Sequence, residues 1–218
     1  MHEIEPGLWR WTRRHPDWHP SGFGDEVASF ALRDDVGIVL VDPLLDGEHD
    51  PLLETLLADA WGDVRILITI PYHVRSAELI WRRLRDHHEV GIYGHWRCRS
   101  RLHDATAFRA VAGGETIAGG VRTHAIGRPR RMEVPFEIPS HRALAFGDLV
   151  VETGGGALRV WQQWETNEQW YRDTFLPTIT PLAALDVERV LVTHGQPVLR
   201  DGAAALARAF DEPVWNRD

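Results

Sequence analysis

The sequence has little cysteine and no long hydrophobic run. Cys98 is the single cysteine among 218 residues, which excludes an intrachain disulfide and a thiolate-rich zinc site of the CxxC type. The longest apolar runs, residues 36–41 and 66–70, are far shorter than the about 20 residues that a membrane-spanning helix needs. The amino terminus also lacks the basic and then apolar pattern of a secretion signal. We therefore expect a cytoplasmic protein with no membrane partner, in which any metal is held by histidine and carboxylate.

Positive charge is also in deficit. The chain has 24 Lys and Arg against 32 Asp and Glu, which gives a net charge of −8. Such a field opposes phosphate backbones, so nucleic acid is not an expected partner. Apolar residues make up 44% and charged residues 26%, values that are ordinary for a globular protein. Because no repeat or low-complexity segment interrupts the chain, we predict a single domain over residues 1–218.

Hydrophobic patterning predicts an α/β protein. Three closely spaced apolar segments, Leu8–Trp11, Val27–Leu32 and Gly37–Val41, predict an antiparallel start. Helical spacing then alternates with β-rich runs over residues 51–102, which indicates parallel strands covered by helices. Short strands are predicted at residues 115–117, 121–126, 132–138, 142–146, 158–161 and 189–193. A helical stretch over 166–185, broken by Pro177 and Pro181, and a helix over 202–210 complete the pattern.

Polar residues follow several of these apolar runs, where α/β folds place their sites. The segments Leu40-Val-Asp42, Leu144-Ala-Phe-Gly-Asp148 and Val190-Leu-Val-Thr-His194-Gly195 resemble strand ends of the metallo-β-lactamase fold family. That family includes glyoxalase II-like enzymes and ribonucleases of the Z type. The resemblance covers residues 7–195 and implies an αββα sandwich, with two mixed β-sheets between outer helices. It also implies that Asp148 corresponds to the metal-bridging aspartate and His194 to a ligand of the second metal.

The central motif of the family is absent. Active members carry Thr-His-x-His-x-Asp-His, whereas residues 69–75 here read Thr-Ile-Pro-Tyr-His-Val-Arg. By that register the three histidines and the aspartate are replaced by Ile70, Tyr72, Val74 and Arg75. Isoleucine and valine have no lone pair for a metal, and arginine repels one. The resemblance therefore implies a degenerate member whose two-metal site is largely lost.

A further ligand is also missing. The family's Pro-Gly-His turn falls near residues 128–130, but no histidine lies between His124 and His141. Of the usual seven protein ligands only Asp148 and His194 remain. His73 is a weak third candidate for a single zinc, iron or manganese ion, although its register matches a spacer whose side chain points away from the metals. No cofactor is favoured on this evidence.

Arginine residues near the positions of the missing metal ligands suggest that this region binds an anion. Arg75 and a member of the cluster that begins at Arg128 could supply the charge that metals supply in the family, and Tyr72 adds a hydroxyl donor. A long loop over residues 12–26 carries Trp18 and could cover a bound molecule. With His73, these residues predict a site for a small ligand, with an anion as the candidate. The alternative is that the arginines face solvent and Trp18 packs against the sheet edge.

Three classes of function follow from these observations. The first is a pseudoenzyme, a non-catalytic or weakly catalytic small-molecule binder. The second is an atypical hydrolase of an ester, thioester or phosphoester, in which Asp148 and His194 hold a metal and Tyr72 or Arg75 stabilises the oxyanion. The third is an interaction module, possibly a homodimer, that uses the tryptophan-rich segment 161–171.

Overall fold

A seven-stranded sheet forms the first half of the molecule. The computed structural model describes residues 1–15, 18, 24–59, 61–161 and 167–215. Residues 16, 17 and 19–23 of the loop predicted over 12–26, and residues 162–166 of the tryptophan-rich segment, lie outside the described residues. The strands follow one another in sequence order, antiparallel from β1 to β4 and parallel from β4 to β7. They are β1 (His2–Glu5), β2 (Leu8–Arg14), β3 (Glu26–Arg33), β4 (Gly37–Val41), β5 (Asp63–Ile68), β6 (Val90–Gly94) and β7 (Phe108–Ala110). The antiparallel start and the parallel continuation agree with the prediction.

A second, mixed sheet has the order β13, β10, β9, β8. Its pairs are antiparallel except for β10 and β13, which run parallel. The strands are β8 (Arg122–Thr123), β9 (Phe136–Ile138), β10 (Ala143–Phe146) and β13 (Arg189–Val192), and the hairpin β11 (Val150–Glu152) and β12 (Leu158–Val160) lies beside them. The strand predicted at residues 115–117 is wrong, because Thr116 makes only an isolated bridge with Arg122.

Helices cover the outer faces. They are α1 (Pro51–Asp59), α2 (Ala77–Leu84), α3 (Glu168–Trp170), α4 (Leu176–Ile179) and α5 (Gly202–Asp211). A π-helical turn over Tyr171–Phe175 joins α3 to α4, and a 3-10 segment over Thr180–Ala184 follows. Pro177 and Pro181 each lie in the first turn of a segment where the helical hydrogen-bonding pattern changes. The backbone stays helical at both junctions, so the predicted break is a change of helix type and not an end to the helix. No helix in the described ranges is both long enough and apolar enough to cross a membrane.

Side-chain alternation along the strands separates three buried layers. In β4, Ile38 and Leu40 belong to the cluster beneath α1 and α2, whereas Val39 belongs to the cluster between the sheets. In β10, Ala145 faces the layer between the sheets and Phe146 faces α5. The αββα sandwich with two mixed sheets is therefore confirmed.

One charged pair is buried at the far end of the first sheet. Arg65 in β5 is 1% exposed, and its Nη2 and Nη1 lie 2.6 and 2.9 Å from the two carboxylate oxygens of Asp34. The same carboxylate accepts hydrogen bonds from the amides of Val36 and Gly37, at 2.9 and 3.0 Å. Burial raises the pKa of Asp34, but the hydrogen bonds from Arg65 and these amides outweigh it and hold the pKa below its usual value. The pair joins β5 to the turn between β3 and β4.

We predict that Asp34→Ala lowers the free energy of unfolding by about 3 kcal/mol, because it leaves the guanidinium of Arg65 buried and unpaired. Urea denaturation of the two proteins measures this difference. The neighbouring, exposed Asp35→Ala is the control and should change stability by less than about 0.5 kcal/mol. An equal loss in both variants would show that the buried pair contributes nothing specific.

Candidate functional site

Asp42 lies immediately after β4 and accepts hydrogen bonds from three directions. Its Oδ1 accepts the Thr69 amide at 2.8 Å, and its Oδ2 accepts the Thr69 hydroxyl at 2.5 Å. Nδ1 of His73 lies 2.8 Å from the same Oδ2. Asp42 adopts a left-handed backbone conformation, with φ of 46°, which is strained for a residue with a side chain. The carboxylate is 1% exposed and joins the ends of β4 and β5.

His73 bridges two carboxylates. The 3-10 turn Pro71–His73 follows β5 and turns the imidazole inward, so that it is 4% exposed instead of pointing away as its spacer register suggested. Its Nδ1 faces Asp42, and its Nε2 lies 3.3 Å from Oδ1 of Asp148. Burial and the nearby Arg75 lower the pKa of His73, but the two carboxylates outweigh them and the pKa is raised. With a carboxylate at each ring nitrogen, the favoured form is the imidazolium.

Asp148 lies on the loop after β10, at the centre of the site. Gly147 allows this loop to approach β5, because a Cβ at Gly147 would lie 2.6 Å from the Thr69 hydroxyl. His194 follows β13, and its Nε2 is 3.4 Å from Oδ1 of Asp148. Burial raises the pKa of Asp148, but His73 and His194 outweigh it and hold the pKa well below its usual value. Burial lowers the pKa of His194, so a neutral imidazole faces an ionised carboxylate.

Glu133 supports the Asp148 loop from behind and was missed by the sequence analysis. Its Oε1 accepts the amides of Gly147 and Leu149 at 2.8 and 3.1 Å, and its Oε2 accepts the amide of Asp148 at 3.3 Å. The residue is 1% exposed, and burial raises its pKa to about 7. A single glutamate has no sequence motif that indicates a functional role, so Glu133 can be recognised only from its position in the structure.

Arg75 lies beneath the site. It has a left-handed backbone with φ of 43°, and its Nη1 donates to the carbonyl of Asp42 at 2.8 Å. Its Nε and Nη2 are buried and have no hydrogen-bond partner among the residues that the structure describes. The guanidinium therefore places a positive charge close to the carboxylates of Asp42 and Asp148, and both carboxylates raise its pKa while burial, the larger effect, lowers it.

A cavity of about 260 Å³ opens above Asp148. Its wall is formed by Ile70, Tyr72, Pro129, Arg130, Met132, Asp148 and Trp161. Arg130 stacks on Trp161, with Cζ 4.9 Å from the ring centroid, and its Nη2 donates to the Trp161 carbonyl at 3.0 Å. The structure thus brings Tyr72 and Asp148 together with Arg130. No sequence pattern distinguishes Arg130 from the other arginines of the cluster that begins at Arg128.

Two other predicted site residues lie elsewhere. Arg128 is exposed beside the cis peptide bond to Pro129, outside the cavity wall. Trp18 is half-buried and lies 5.9 Å from Cζ of Arg14, measured to the ring centroid. It is not a wall residue of this cavity.

The donor set does not fit the two-metal centre that the fold implies. Ile70 is buried in the cavity wall and Val74 in the helix-covered core, and neither has a lone pair to donate. Arg75 adds a cation where the family has a histidine. Within the described ranges, no group of three or more His, Cys, Asp or Glu side chains is arranged to hold a metal ion.

We predict that Glu133→Gln makes stability less dependent on pH. The pKa of Glu133 is about 7 in the folded protein and near 4.5 in the unfolded chain, so the folded state binds the proton more tightly. This group alone then lowers wild-type stability by up to about 3 kcal/mol as pH rises from 4.5 to 8. Urea denaturation at pH 5 and 8 measures the free energy of unfolding of both proteins. Between pH 5 and pH 8 the variant should lose less of this free energy than wild type does. The exposed Glu48→Gln is the control, and equal pH profiles for wild type and Glu133→Gln would contradict the prediction.

Comparison with known proteins identifies the fold. No family model matches the chain, and no curated protein matches it. A metallo-beta-lactamase from Pontibacter korlensis is 15% identical, with a TM-score of 0.66 over 97% of this chain and 98% of that one. A metallo-beta-lactamase family protein from Thermus thermophilus is 17% identical, with a TM-score of 0.61 over 94% of this chain and 79% of that one. The Flv1 flavodiiron core from Synechocystis sp. is 16% identical, with a TM-score of 0.63 over 96% of this chain and 59% of that one. The chain therefore has the metallo-β-lactamase fold, and its residues 69–75 do not carry a His-x-His-x-Asp-His motif.

Proposed function

We propose that this protein is a non-catalytic or weakly catalytic binder of a small anionic molecule, which it holds in the cavity above Asp148. The observation that carries the proposal is the position of His73, whose ring nitrogens face the carboxylates of Asp42 and Asp148 at 2.8 and 3.3 Å. An imidazolium there offsets negative charge that a metal offsets in active members of the fold family. The buried guanidinium of Arg75 adds a second positive charge. The cationic side chains of His73 and Arg75 thus lie close to the carboxylates of Asp42 and Asp148.

The cavity wall offers complementary groups to such a ligand. Arg130 is held over the Trp161 ring and by the Trp161 carbonyl, and its remaining guanidinium N–H groups would serve an anion. Asp148 is ionised and accepts hydrogen bonds, so the ligand should also carry a hydroxyl or amino donor. Tyr72 adds a phenolic hydroxyl, and Ile70 and Met132 add apolar surface. A compact hydroxy acid or amino acid has this combination of groups.

The alternative is a hydrolase of an ester, thioester or phosphoester with a single zinc, iron or manganese ion. The observation in its favour is that Nε2 of His73 and Nε2 of His194 lie 3.3 and 3.4 Å from Oδ1 of Asp148. Asp42 orients His73 through Nδ1, as carboxylates orient metal-binding histidines. This alternative requires His73 to exchange its contact with Asp148 for a metal, and a metal bound there would supply a nucleophilic hydroxide.

We predict that small hydroxy and amino acids raise the melting temperature of the wild-type protein. At ten times the dissociation constant, the stabilisation is about 1.4 kcal/mol, or roughly 4 °C for a chain of this size. Differential scanning fluorimetry with L-malate, L-lactate and L-glutamate, followed by calorimetry, measures the effect. Arg130→Ala should abolish it, whereas the exposed Arg128→Ala should retain it. Equal shifts in both variants, or no shift in wild type, would count against the proposal.

Metal analysis separates the two functions. We predict far less than one equivalent of zinc, iron or manganese in tag-free protein purified without chelators, measured by inductively coupled plasma mass spectrometry. The physical reason is the mutual pairing of His73 and Asp148 and the cation at Arg75. About one tightly held metal per chain, lost in Asp148→Ala and His194→Ala but kept in the exposed His87→Ala, would support the hydrolase instead.

A further inference from the structure

A second cavity, of about 320 Å³, opens beside the first. It lies between two 3-10 segments, Pro71–His73 and Trp96–Arg101, which contact each other after β5 and β6. Its wall is formed by Pro71, Tyr72, Trp96, Arg97, Ser100, Arg101 and Met132. Tyr72 and Met132 also line the cavity above Asp148, so the two cavities share one wall.

Two aromatic rings are unusually exposed in this cavity. Trp96 is 61% exposed and Tyr72 is 56% exposed, the two highest values among the large hydrophobic side chains described. Each ring carries an arginine on one face. Cζ of Arg97 is 5.1 Å from the Trp96 ring centroid, and Cζ of Arg101 is 4.5 Å from that of Tyr72. The His95 ring also lies beside Trp96, with the two ring centroids 5.5 Å apart and the planes tilted by 37°. A planar ligand would therefore stack on the part of the Trp96 surface that Arg97 and His95 leave exposed.

The positive charge in this region has no carboxylate partner. Arg97, Arg101 and the nearby Arg131 make no ion pair with any carboxylate in the described part of the chain. Burial lowers the pKa of the neighbouring His95, and Arg97 and Arg131 lower it further. The chain as a whole has a net charge of −8, so this cavity is a local cationic region on an acidic protein.

We propose that this second cavity binds a nucleoside monophosphate, with its base stacked on Trp96 and its phosphate held by Arg97 and Arg101. A phosphate monoester carries about −1.5 to −2 charges and several acceptor oxygens. It can therefore pair with two guanidinium groups, whereas a ligand carboxylate carries a single charge. The cavity volume lies within the range of small-ligand pockets, which begins at about 300 Å³. The acidic surface elsewhere opposes a long polyphosphate chain, which favours a single nucleotide over a nucleic acid strand.

This assignment does not depend on the ligand of the first cavity. Trp96, Arg97, Ser100 and Arg101 belong to the second cavity and not to the wall above Asp148. Failure of the hydroxy-acid and metal experiments would therefore leave it intact, and its own failure would leave the proposed function intact.

The test is a calorimetric titration of the full-length protein with adenosine 5′-monophosphate. Adenosine, inorganic phosphate and indole-3-acetate are titrated in parallel. We expect the nucleotide to bind at least tenfold more tightly than each of the three, since only the nucleotide combines a stacking base with a phosphate dianion. Binding should weaken as NaCl is raised from 50 to 500 mM.

Variants locate the site. Trp96→Ala and Arg97→Gln should each weaken nucleotide binding by about tenfold or more, which corresponds to the loss of one stacked base or one charge-assisted contact. Trp61→Ala and Arg82→Gln are matched controls, because both residues are exposed and lie outside the cavity. Melting curves confirm that each variant is folded. Because Trp96 and Arg97 are exposed, their substitution should leave the melting temperature within about 2 °C of wild type.

Four results would overturn the proposal. These are the absence of nucleotide binding at millimolar concentration, equal affinity for adenosine or for indole-3-acetate, unchanged affinity in both cavity variants, and a ten-residue oligothymidylate that binds more than tenfold more tightly than the mononucleotide. The last result would assign the cavity to a single-stranded nucleic acid.

Discussion

The contact on which this site depends is the imidazole of His73 between the carboxylates of Asp42 and Asp148. Asp42 is buried after β4, and Asp148 is largely buried after β10 of the other sheet. Their carboxylates repel each other and lose most of their hydration, so they need positive charge close by. Metals supply that charge in active members of the fold family. Here His73 lies directly between the two carboxylates, and Arg75 lies beneath them. The local backbone is strained to reach this geometry, because both Asp42 and Arg75 have positive φ.

The rest of the architecture fixes where those carboxylates lie. Parallel pairing places the carboxyl ends of β4 and β5 side by side in one sheet, and those of β10 and β13 in the other. Asp42, Thr69, Asp148 and His194 follow these four ends and therefore converge. Glu133 then orders the loop that carries Asp148, because one buried carboxylate accepts three successive amides. The loop is positioned by backbone hydrogen bonds, so the direction of Asp148 does not rely on a bound metal.

The sequence predicted the parts of this site that follow strands, and it missed the parts that depend on loops. Asp148 and His194 come shortly after strongly apolar runs, where α/β folds place polar site residues, and the resemblance to the fold family implied that the two share one site. The inward turn of His73 depends on a three-residue 3-10 segment, and the register of the family motif suggested the opposite direction. Arg130 lies on an irregular segment before β9, where no periodicity indicates which side chain faces the site. Glu133 falls within the strand predicted over residues 132–138, but β9 begins only at Phe136, so strand alternation does not give the direction of Glu133. Short edge strands such as β1 and β7 were missed because three or four residues carry too weak a pattern.

Replacing metals by protein cations has an unequal effect on binding and on catalysis. Under the proposed function, a guanidinium or imidazolium would attract an anion and donate hydrogen bonds to it, which favours binding. Neither group lowers the pKa of water as a bound metal does, so these cations alone would supply no hydroxide nucleophile. Arg130 stacked on Trp161 illustrates the first effect, since its position is fixed by an aromatic ring and a backbone carbonyl with no need of a metal. We therefore expect selection among ligands by shape and hydrogen bonding at Tyr72 and Asp148, with little turnover.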